Sequence, residues 1–136
     1  MTGLDVIEAL RANYFATETY EVRTSVDSAG FARLLVLVKP TAPTRLFGLR
    51  FVDFPSAPPT LRFWQPKRWT EDFEFDFTTN GDTGTGTSQT PSGIATMCVP
   101  YHVDYYKNAW HSDWPWKPAD AGVLVADLVG NILRRA

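Results

Sequence analysis

A single cysteine, Cys98, stands in a chain of 136 residues. One thiol excludes an internal disulfide framework and any zinc site built on several cysteines. A basic excess is also missing: 13 Lys and Arg face 15 Asp and Glu, for a formal charge of −2. Electrostatically driven nucleic-acid binders carry the opposite balance, so no nucleic-acid partner is expected. No apolar run approaches the roughly 18 residues that cross a bilayer. The opening Met1-Thr2-Gly3-Leu4-Asp5 has no basic stretch of the signal-peptide kind. The expectation is a cytoplasmic domain without membrane contact. No repeat or linker interrupts the chain, and its length suits one domain over residues 1–136. What is abundant is apolar: 44% of residues are hydrophobic and 14% aromatic, enough for a real core.

The apolar pattern predicts a helix over about residues 4–14, with Leu4, Ile7 and Leu10 at helical spacing and Val6 beside them. Thr2 with Asp5 three residues on approximates a capping box. Tyr20, Val22, Thr24 and Val26 then alternate with Glu21, Arg23, Ser25 and Asp27, the mark of a strand with one wet face. After the turn Asp27-Ser28-Ala29-Gly30, residues Phe31 to Val38 are apolar on both faces apart from Arg33, as in a central strand. Residues 39–43 break it, and Leu46 to Phe54 reads as a third strand with Phe47, Leu49 and Phe51 on one face. Short connections favour an antiparallel meander.

Pro55, Pro58 and Pro59 exclude a central strand between Phe54 and Thr60. Leu61, Phe63 and Trp64 form a brief fourth strand, and Phe73, Phe75 and Phe77 alternate as a short extra one would. Residues 78–93 are a long polar loop rich in Thr and Gly. They lack the Gly-Lys-Ser/Thr ending of a phosphate-cradling loop. Residues 94–118 are aromatic and irregular. A last helix follows, with Pro118 in its first turn, Asp120 complementing its dipole, and Leu124, Val125, Leu128, Val129 and Ile132 as its apolar stripe. The expected class is α+β, a sheet backed by helices.

Three stretches in order carry a resemblance. Phe54-Pro55-Ser56-Ala57-Pro58-Pro59-Thr60-Leu61-Arg62-Phe63 resembles the aromatic-Pro-x-x-Pro-Pro-x-apolar-x-Phe segment between the third and fourth strands of ubiquitin-conjugating enzymes, the E2 family. Gly93-Ile94-Ala95-Thr96-Met97-Cys98 resembles the approach to their active-site cysteine, and Trp116-Lys117-Pro118-Ala119 the Trp-x-Pro-Ala that opens the helix after it. With the N-terminal helix and meander, the resemblance covers residues 4–133. It implies the E2/UBC fold: an N-terminal helix, a four-stranded antiparallel meander, a long active-site loop and one packing helix.

The chain departs from the family in several places. Gln89-Thr90-Pro91 stands where the family has His-Pro-Asn, whose asparagine supports the oxyanion. The stretches before and after Cys98 are longer than usual, and the two C-terminal E2 helices have no counterpart before Ala136. The chain resembles a divergent, minimal E2-like protein of the bacterial type. Such proteins are found beside an E1-like activating enzyme, a ubiquitin-like modifier and an isopeptidase, in operons some of which are implicated in anti-phage defence.

The resemblance implies that Cys98 is the nucleophile, accepting a modifier's acyl group as a thioester and passing it to an amine of a protein substrate. Thiolates are strong nucleophiles, so such chemistry needs few other groups. A donor for the oxyanion and a site that depresses the incoming lysine's pKa help. His102, four residues on, is a candidate support for the thiolate; Asn80 or Asn108 is a candidate replacement for the oxyanion asparagine. Asp104 and Asp113 are candidates for lysine activation. By resemblance Glu8 and Arg11 lie on the face that meets the activating enzyme. Cys98, His102 and His111 do not have a standard zinc spacing, so no metal and no cofactor is expected. Two other readings compete: a catalytically inactive E2-variant or RWD-like binding module, and a cysteine hydrolase on Cys98 and His102.

Overall fold

The chain starts by capping itself. In the computed structural model, which describes residues 1–39, 45–64, 69, 77, 88–89, 95–96, 100–106 and 115–135, helix α1 spans Gly3–Tyr14. The Thr2 hydroxyl accepts from the Asp5 N–H at 3.2 Å, and the Thr2 N–H donates to the Asp5 carboxylate at 2.8 Å. Those bonds satisfy donors that a helix start leaves open. The buried face is Val6, Ile7 and Leu10. Leu4, expected in that stripe, is 47% exposed, because the face that meets the sheet runs through Gly3 and Val6 instead. Gly3 is required there: a Cβ would sit 2.8 Å from the Cβ of Phe51.

Four strands follow as a meander: β1 (Tyr20–Val26), β2 (Ala32–Val38), β3 (Arg45–Arg50) and β4 (Thr60–Trp64), all antiparallel in the order β1-β2-β3-β4. The register pairs Tyr20 with Val38, Val36 with Phe47, and Phe47 with Phe63. Period-two alternation sends Leu34, Val36, Phe47, Leu49, Leu61 and Phe63 to one face. There they meet Val6, Ile7 and Leu10 of α1 and Val125, Leu128, Val129 and Ile132 of the last helix in one core. Leu35, Leu37, Leu46 and Trp64 point to the other face and pack with Phe77 and Trp69. β2 is therefore covered on both sides, as its apolar run predicts.

β1 is an edge strand, and its wet face is wider than alternation alone suggests: Thr24 is exposed and Val26 is 54% exposed. The third strand ends at Arg50, short of the expected Phe54. Phe51 still donates its N–H to the Ala32 carbonyl at 2.9 Å and stays buried, and Asp53 turns the chain with φ 53°. Asp tolerates that left-handed region better than bulky residues do.

Beyond β4, two-residue strands β5 (Ser88–Gln89) and β6 (Ala95–Thr96) pair antiparallel, Ser88 with Thr96. Part of the expected loop 78–93 is thus a ladder. A short helix α2 (Val103–Tyr106) appears within the stretch expected to be irregular. Of the expected extra strand, Phe77 is buried against Trp64, while Phe73 and Phe75 lie outside the described residues. A 3-10 turn at Pro118–Asp120 leads into α3 (Ala121–Arg135). Its stripe is the expected one, except that Leu124 is only half-buried and Ala121 completes the buried set. The class is α+β: α1 and α3 share one face of a four-stranded antiparallel sheet. No described helix is long and apolar enough to cross a membrane.

Candidate functional site

The proline crossover between β3 and β4, residues 51–59, organises the region that precedes α3. Phe51 and Phe54 meet edge to face at 5.0 Å, and Phe54 packs against Trp116 at 6.1 Å. The Trp116 indole N–H donates to the Pro55 carbonyl at 2.8 Å. The Val103 N–H donates to the Pro59 carbonyl at 2.9 Å, so α2 hangs from the same crossover. Proline carbonyls suit this task. A run of prolines has few N–H groups to commit its carbonyls to a ladder, so they remain open to distant donors.

Cys98 lies outside the described residues. The stretches that flank it do not: β6 and α2 both lie beside β4. Between Cys98 and α2, Tyr101 holds φ 78°, a left-handed conformation that costs a bulky residue on the order of 1–3 kcal/mol. Packing of the Tyr101 side chain on the main core offsets it.

His102 comes next and has no exposed surface. An imidazole so enclosed is shielded from bulk water, and the helix that follows it, α2, lies beside β4 and bonds to the crossover. Asp104 is placed by its backbone in the first turn of α2. Asn80, Asn108, His111 and Asp113 lie outside the described residues. Among the described residues no group of three or more His, Cys, Asp or Glu side chains is arranged to hold a metal.

Glu8 and Arg11 are both exposed, and with Leu4 they form one outward stripe of α1 at helical spacing. The large exposed apolar side chains Met1, Leu4, Val26 and Val123 gather at this end of the molecule. Met1 separates two open grooves of about 370 and 400 Å³, one between α1 and α3 and one between α1 and the β1–β2 turn.

Two features escaped the sequence reading. One is the pair of carbonyls of Pro55 and Pro59 as anchors, for which the sequence signal is only the clustering of prolines. The other is a row of polar side chains across the outer sheet face, Ser25, Arg33, Arg50 and Thr60, each directly opposite the next. The strand registers, once known, show it at once; no sequence motif marks it.

Comparison with known proteins finds no family model, no curated protein and no solved structure that matches this chain.

Proposed function

We propose that the protein is an E2-like conjugating enzyme that carries a ubiquitin-like modifier as a thioester on Cys98. The Cys98 thiolate attacks the acyl carbon held by an E1-like enzyme, and that enzyme's thiolate departs. A target amine then attacks the new thioester, loses a proton, and releases the Cys98 thiolate. The activating enzyme consumes the ATP, so this chain needs no cofactor of its own. Anti-phage defence in bacteria is the setting that the resemblance suggests.

The observation that carries this reading is the order and joining of the elements. A capped helix, a four-strand meander and a proline crossover precede the cysteine, and a Trp-x-Pro-Ala helix follows it. Trp116 of that helix's approach is tied to Pro55 of the crossover at 2.8 Å. Two motifs far apart in sequence thus join in space. The exposed stripe of Leu4, Glu8 and Arg11 on α1 gives an activating enzyme a surface of mixed apolar and charged character.

With activating enzyme, modifier and ATP, Cys98→Ser is expected to trap a hydroxylamine-sensitive oxyester that resists thiols, and Cys98→Ala to trap nothing. The absent His-Pro-Asn favours a second reading, a non-catalytic E2-variant module that presents a modifier. Under it, Cys98→Ala leaves partner binding and biological activity unchanged.

A further inference from the structure

We infer that the outer face of the sheet carries an oxyanion site, built from Arg33 of β2 and Arg50 of β3 with Ser25 and Thr60 at its two ends, that takes a phosphate group. The inference is independent of Cys98 chemistry. Arg33 and Arg50 are directly opposite each other on neighbouring strands. Like charges in that position repel and destabilise a sheet.

One carboxylate answers two guanidinium groups. Asp27 binds Arg50 at 2.7 Å. The Arg33 Nε donates to the neutral Ser25 hydroxyl at 3.1 Å, and no ion pair neutralises Arg33 among the described residues. Among the described residues, one positive charge of this pair is left over.

Both side chains are nevertheless held in place. Arg50 is tethered through its Nε and lies over the Phe31 ring at 5.3 Å. Arg33 is tethered through its Nε as well. Fixing a long side chain through Nε leaves the terminal Nη nitrogens to donate outward, and removes in advance much of the entropy that binding would cost. Residues opposite each other in an antiparallel pair stand about 4.5–5.5 Å apart at Cα. A single carboxylate fills one guanidinium fork, whereas a phosphate has three terminal oxygens to share between two. The Ser25 and Thr60 hydroxyls extend the donor row across all four strands.

The test uses the full chain and inorganic phosphate, with chloride and acetate at matched ionic strength and pH. Amide shifts of Ser25, Arg33, Arg50 and Thr60 are expected to move saturably with phosphate and not with acetate. Arg33→Gln is expected to weaken phosphate binding by about tenfold or more. The same variant is expected to raise the melting temperature in chloride, because it removes the repulsion. A phosphoserine peptide run beside free phosphate identifies the source: the tighter binder is the natural form, and binding of either supports the site. Equal shifts with acetate, undiminished binding by Arg33→Gln, or a lower melting temperature of that variant in chloride would each overturn the inference. General salting-out by phosphate stabilises wild type and variant alike, so the difference between them is the readout.

Discussion

The Asp27 carboxylate accepts from three donors: the Ala29 and Phe31 N–H groups at 3.0 Å each and the Arg50 Nε at 2.7 Å. It fastens the β1–β2 turn and links it to β3. Partial burial pushes its pKa up, but the Phe31 N–H, the Arg50 hydrogen bond and charge, and the Ala29 N–H outweigh that and hold it below the ordinary carboxylate value. A folded-state pKa below the unfolded one stabilises the fold above the unfolded value, and the stabilisation disappears as pH falls through the folded value. Asp27→Asn is therefore expected to lower stability near neutrality and to flatten its fall below about pH 5, read by denaturant unfolding across pH. At Gly48 the constraint is space. A Cβ would lie 2.7 Å from Phe77 and 2.9 Å from Trp64, two rings that meet edge to face. Gly48→Ala should cost about 1–3 kcal/mol, measured by the same unfolding.

Among the elements, the crossover at residues 51–59 links four. It ends β3, starts β4, and receives α2 through Pro59 and the approach to α3 through Pro55. Trp116→Phe keeps the ring packing on Phe54 and removes the indole N–H, leaving the Pro55 carbonyl without that donor. A loss of about 1 kcal/mol is expected, with faster amide exchange at the start of α3. Helix α3 and the central strand were legible in the sequence because burial imposes a period: Val125, Leu128, Val129 and Ile132 for the helix, and the run from Leu34 to Val38 for the strand. The ends of elements were less so. Phe51 looks like strand because it is apolar, and it keeps one backbone bond to β2, yet the chain turns at Asp53, before the expected Phe54. Leu4 looks like core because it fits the spacing, yet the close approach of Gly3 to Phe51 rotates the helix and leaves it exposed. Local pattern cannot register a contact made 48 residues away. The same holds for His102: sequence places it four residues from Cys98 and does not show that it is completely buried.

At the scale of the whole molecule, the two sheet faces have separate tasks. The inner face holds α1 and α3 and, among the described residues, most of the buried apolar side chains. The outer face holds a smaller layer around Trp64 and Phe77, edged by Arg23 over Trp69 and by the row of Arg33 and Arg50. Single truncations in the inner layer, such as Leu128→Ala, should cost about 2–5 kcal/mol, a large part of the roughly 5–15 kcal/mol that holds a domain of this kind together. On the proposed reading, this scaffold serves to present the Cys98 thiol. The most direct test is the intact mass of the protein under non-reducing conditions, after incubation with an E1-like enzyme, its modifier and ATP. The account predicts a mass increase of one modifier that thiol reagent removes and Cys98→Ala abolishes. A charged activating enzyme that binds the protein and yet leaves its mass unchanged would contradict it.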